Sequence, residues 1–187
     1  MSGVPSFHFD REGYLKAVGA DMKRARLERG LSREELADLA GVHPNTIGGV
    51  ERGDHDVNSG TKCWILAALG ARSVIMETDA DFVELEDDES QYPRADVQAM
   101  ADSEIVRIIG NAIRNRREGI GMSLDELARR SGVHRNTLWN IERGLVSCSG
   151  SSLHCIYIAL GVRKATPLPA KLGLELDDGI HNRLYGA

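Results

Sequence analysis

The sequence predicts an all-α protein built as two tandem units of four or five helices, each followed by a short β-strand extension. Three observations carry this. Shifting the 187-residue chain on itself by 91 positions aligns Gly19 to Asp87 with Gly110 to Asp178 without a gap, giving 23 identities in 69 positions. Two copies are too few to stack as a solenoid, so each must close a core of its own. Within each copy apolar residues recur at helical spacing, and capping and glycine signals fall at matching places.

Each element can be justified in order. Val18, Met22 and Ala25 share one helical face, as do Ile109 and Ile113 in the second copy, and Gly30 or Gly121 ends this first helix. Ser32 with Glu35, and Ser123 with Glu126, are capping-box pairs that start a second helix. That helix is short, because Gly41 or Gly132 supplies a turn within about two helical turns. A third helix opens at His43-Pro44-Asn45, proline being tolerated at the first helical position, and turns Ile47 and Val50 inward. Leu138 and Ile141 answer them in the second copy. A polar loop then leads to a fourth helix, "TKCWILAALG" or "SSLHCIYIALG". The stretches "SVIMETD", "DFVELEDDES" and "KLGLELDDG" alternate apolar with polar residues and predict the short strands. The expected organisation is therefore a first domain over 11–72, an acidic linker over 73–103, a second domain over 104–163 and a tail over 164–187.

Composition excludes several classes. No apolar run approaches the roughly 20 residues that cross a bilayer, and "MSGVPSFHFDREG" has no signal-peptide core, so a soluble cytoplasmic protein is expected. Three cysteines without a CxxC pair argue for reduced, packed thiols rather than a disulfide framework or zinc ribbon; Cys148, His154 and Cys155 have no ligand-like spacing. No nucleophile-base-orienter set stands out, so neither catalysis nor a cofactor is expected. The net charge of −5 is unevenly spread. Glu104 to Lys164 carries ten Lys/Arg against five Asp/Glu, Arg11 to Arg72 ten against nine, and Ser73 to Ser103 one against ten. The acidity sits in the joint and the second copy is basic.

The phrases "RxxxGLSxEELAxxAGVxxNTIxxxERG" and "RxxxxGMSLDELARRSGVHRNTLWNIERG" resemble the lambda-repressor/Cro-like helix-turn-helix family, also called the xenobiotic-response-element (XRE) family. The resemblance implies structural ion pairs of Arg26 with Glu51 and Arg117 with Glu142. It also implies sequence-specific binding of double-stranded DNA by a transcriptional regulator. The third helix would enter the major groove, and the start of the second helix and nearby loops would hold phosphate. At the outward positions of that helix the first copy has Pro44, Asn45, Gly48 and Gly49, and the second has Arg135, Asn136, Trp139 and Asn140. Arg can pair with guanine and Asn with adenine. The second copy is thus the expected base reader, through Ser123, Arg135, Asn136, Asn140 and Arg143, with Ser149 or Ser151 at the fourth-helix start. Trp139 reads equally as a thymine-methyl or partner contact and as packing between the repeats. Arg33, Asn45 and Arg52 are the first copy's contributions. His43 and His134 read as helix caps. The loop Asp54-His55-Asp56 would place two carboxylates beside phosphate. A homodimer on an inverted repeat is the expected assembly, with a covalent pseudo-dimer as its alternative; a regulatory protein partner and nucleoid association in a bacterial or phage setting are also expected. The competing function is a protein-interaction module, anti-activator or antitoxin-like, that uses the fold to bind a protein.

Overall fold

The structure, a computed structural model, describes residues 9–70 and 99–161. The first repeat forms α1 (Arg11–Glu28), α2 (Arg33–Ala40), α3 (Pro44–Arg52) and α4 (Ser59–Ala68). The second forms α5 (Asp102–Gly119), α6 (Leu124–Ser131), α7 (Arg135–Glu142) and α8 (Gly150–Ala159). The 91-residue shift carries α1, α2 and α4 onto α5, α6 and α8 end for end. The all-α expectation holds. The expected strand extensions lie outside the described residues; among the described residues the only β pairing is one isolated bridge, Asn58 with Ser149.

Local chemistry explains the boundaries. Ser32 and Glu35 form the full reciprocal capping box at α2. At α6 only half of it forms, because Ser123 Oγ accepts from the Glu126 N–H while the Glu126 carboxylate turns to Arg129 and Arg130, each at 2.6 Å. These charge-assisted bonds outcompete a neutral backbone donor, and they hold the Glu126 carboxyl down at about 2. The first repeat has Asp38 and Leu39 at the equivalent positions, which leaves Glu35 to the cap. His43 and His134 cap α3 and α7, each Nδ1 accepting the N–H two residues on.

Each repeat closes around a buried ion pair. Arg26 Nε and Nη2 donate to the two oxygens of Glu51 at 2.5 and 3.1 Å, and Arg117 does the same to Glu142 at 2.6 and 2.8 Å. The remaining guanidinium nitrogen, Nη1, donates to the Leu31 or Met122 carbonyl, so these pairs tie α1 to α3 and α5 to α7 while holding the turn before α2 or α6. Gly19 of α1 lies against the Val50 carbonyl of α3, and Gly110 of α5 against that of Ile141 in α7, closer than any Cβ would permit.

The repeats meet across a pseudo-two-fold axis. Asn58 and Ser149, which are equivalent under the 91-residue shift, pair as an antiparallel bridge. The Ser59 N–H donates to the Cys148 carbonyl at 2.8 Å, and its counterpart, the Gly150 N–H, donates to the Val57 carbonyl at 2.9 Å. α4 packs on α5 and α1 on α8, again a reciprocal pair. Cys63 and Ala67 of α4 join the core of the second repeat, with Trp64 packed against it. Asp56 fastens the other side. Its carboxylate accepts from Arg11 Nε and Nη2 and from both the N–H and hydroxyl of Ser151, at the positive N-terminal end of α8. Asp56→Ala removes this acceptor from partly buried donors and should cost about 1–3 kcal/mol, measured as a lower urea midpoint.

Candidate nucleic-acid interface

The two third helices share a backbone and differ in what they present. On α7, Arg135 and Asn136 are exposed and Trp139 stands 41% exposed in the second turn. The Arg143 guanidinium stacks on the Trp139 ring, 4.0 Å from its centroid. A cation held over an indole is restrained while its edge keeps its donors available. Among the described residues no carboxylate pairs with Arg143, and the loop beyond it exposes Leu145 and Val146.

On α3 the same arginine is routed differently. Arg52, the counterpart of Arg143, donates through Nε to Asp54 at 2.7 Å. Asp54 stands where the second repeat has Leu145, and Gly48 offers no ring where the second has Trp139. Gly48 and Gly49 are not an open surface, as the bare sequence would suggest. Both are buried, with Arg52 Nη1 close to Gly48 and the His55 imidazole lying so near Gly49 that a Cβ there would overlap it. Glycine makes room for that ring.

The remaining residues divide. Ser123 is exposed at the α6 start, and Asn140 is half-buried with its carbonyl accepting the Leu145 N–H. Arg135 forms an ion pair with Asp125 at 2.7 Å, which links the α7 start to α6. Ser149 and Ser151 lie elsewhere: Ser149 caps α8 within the inter-repeat bridge, and Ser151 is buried against Asp56. In the first repeat Asn45 is exposed, whereas Arg33 donates to Glu51 at 2.7 Å. Nor do the loop carboxylates lie free beside α3, since Asp56 is turned into the repeat contact and Asp54 is held by Arg52. Trp139, with Arg143 over its ring, is exposed rather than packed between the repeats. The cysteines are buried and form no disulfide, and burial pushes Cys63 up to about 12 and Cys148 and Cys155 to about 11, so they stay protonated near neutral pH. His154 stacks on Tyr14 at 4.4 Å.

Residues 22–68 and 113–153 each match the family described as Helix-turn-helix. Both repeats are helix-turn-helix domains. The match is of the XRE, lambda-repressor-like kind, a family of DNA-binding transcription regulators that is generally non-enzymatic. Searches against curated proteins and solved structures find no match to this chain. In helix-turn-helix terms α2–α3 and α6–α7 are the two bihelical units, with α3 and α7 as third helices. No helix among the described residues is long and apolar enough to cross a membrane.

Proposed function

We propose that the protein is a sequence-specific DNA-binding transcriptional regulator whose second helix-turn-helix is the main base reader. The observation that carries this is the contrasting fate of one arginine: Arg143 is stacked on Trp139 with no carboxylate partner among the described residues, whereas Arg52 is neutralised by Asp54. Asn136 and Asn140 supply adenine-type donors and acceptors beside it, and Arg135, held by Asp125, sits at the α7 start. In this reading Ser123, exposed at the N-terminal end of α6, donates its hydroxyl to phosphate. Ser149, Ser151 and Arg33 drop out of the contact set, because the two serines lie in the contact between the repeats and Arg33 is bound to Glu51.

The test is fluorescence anisotropy, at fixed salt, on a duplex taken from genomic fragments retained by the intact protein. Arg143→Ala and Asn136→Ala should each cost about 1–3 kcal/mol of binding, roughly a 5- to 150-fold rise in Kd. Arg52→Ala should change it by less than about fivefold, since Arg52 is already paired with Asp54 and an exposed contact of this kind is worth at most about 1 kcal/mol. The opposite order would move the reader to the first repeat. Absence of any salt-dependent retention would favour the protein-interaction reading, to which the covered face of α3 lends itself.

A further inference from the structure

We infer that a single chain is the complete DNA-binding unit, an asymmetric covalent pseudo-dimer that binds a non-palindromic duplex one chain to one duplex. This rests on the DNA-binding reading above and adds stoichiometry and operator symmetry to it. The first support is the reciprocity of the repeat contact, in which Ser59 N–H to Cys148 carbonyl is mirrored by Gly150 N–H to Val57 carbonyl around the Asn58–Ser149 bridge. A two-fold rotation keeps equivalent elements at the same height along its axis. α3 and α7 therefore lie at the same level along it, the arrangement that a single duplex meeting both helices requires.

The second support is that the contact is specified between unlike copies. Asp56 has Ser147 as its counterpart, and Ser151, which supplies both a hydroxyl and an N–H to Asp56, has Gly60. A first repeat pairing with another first repeat would lose the hydroxyl. Two second repeats would lose the carboxylate altogether. Tyr14, whose hydroxyl donates to the Gly150 carbonyl and whose ring stacks on His154, is replaced at the equivalent place by Ile105, which joins Cys63 in the second repeat's core. One side of the axis is polar and aromatic, the other apolar. Chain-to-chain pairing through this surface would have to break a contact already satisfied within each chain.

The third support is the inequality of the helices delivered to the DNA. Of two half-sites about one helical turn apart, the one under α7 meets Asn136, Trp139, Asn140 and Arg143. The one under α3 meets a surface closed by His55 and Arg52, with Asn45 at its start. Base preference should be strong in the first half-site and weak in the second, where contact is mainly with phosphate.

The experiment is selection of duplexes from a random-sequence pool by the full chain, followed by sedimentation of the free protein and of its complex with the best duplex. The expected result is a monomer, one chain per duplex, and a motif defined in one half-site with a protected but poorly defined half-site a helical turn away. Two chains per duplex on a palindromic motif would overturn the pseudo-dimer and leave the DNA-binding reading standing. No enrichment together with no salt-dependent binding would overturn that reading, and this inference with it.

Discussion

Glu51→Ala should cost the first repeat about 3–5 kcal/mol, the amount typical of removing one partner from a buried ion pair. The side chains of Arg26 and Glu51 are 7% and 2% exposed, so the mutant leaves a guanidinium buried without its carboxylate. A domain of this size has only about 5–15 kcal/mol in total, which makes the effect close to unfolding. Arg33→Ala removes the outer partner of the same carboxylate, but Arg33 is 42% exposed and its loss should cost about 1 kcal/mol or less. Urea unfolding of the two variants separates these outcomes, and equal midpoints would contradict the buried-pair account. Acid acts on the same group. Burial pushes the Glu51 carboxyl up, yet the hydrogen bonds and charges of Arg26 and Arg33 outweigh it and hold it below its ordinary value. A depressed carboxyl contributes stability above its unfolded value, and that contribution is lost as pH falls through the lower folded value.

Gly110→Ala should be comparably damaging for a steric reason. Its Cβ would overlap the Ile141 carbonyl and approach the Gly144 nitrogen to 3.1 Å, and backbone atoms cannot swing aside as a side chain can. Overpacking commonly costs about 1–3 kcal/mol, and this contact belongs at or above the upper end. The obstructed element is α7, the proposed base reader, so on that reading DNA affinity should fall along with the thermal midpoint. Gly119→Ala is the matched control in the same helix: no atom lies within 4 Å of its Cβ, and the change should stabilise by up to about 1 kcal/mol. Similar midpoints for the two alanine variants would show that α5 and α7 do not approach so closely.

Much of the fold was legible because its signals are local. Helical spacing around Met22 and Ile113, the Ser32 cap and the turn glycines each act within a few residues, and the 91-residue shift doubled every such signal. The ion pairs were reached through resemblance, since Arg26 and Glu51 are 25 residues apart and nothing local joins them. Glu126 shows the limit of a local rule: Ser123 caps the helix as its spacing predicts, but two arginines on the next turn take the Glu126 carboxylate.

By itself, the sequence determined two homologous helical units, their helix starts, and an inequality between Gly48-Gly49 and Trp139-Asn140. Only the tertiary structure decided what those differences do. It buried Ser151 and Asp56 against each other, folded His55 over Gly49, and sent Arg52 to a carboxylate but Arg143 to an indole. The physical reason is that a helix is selected by neighbours three and four residues away, whereas the direction of a loop and the partner of a long cation depend on groups the chain brings together from far apart.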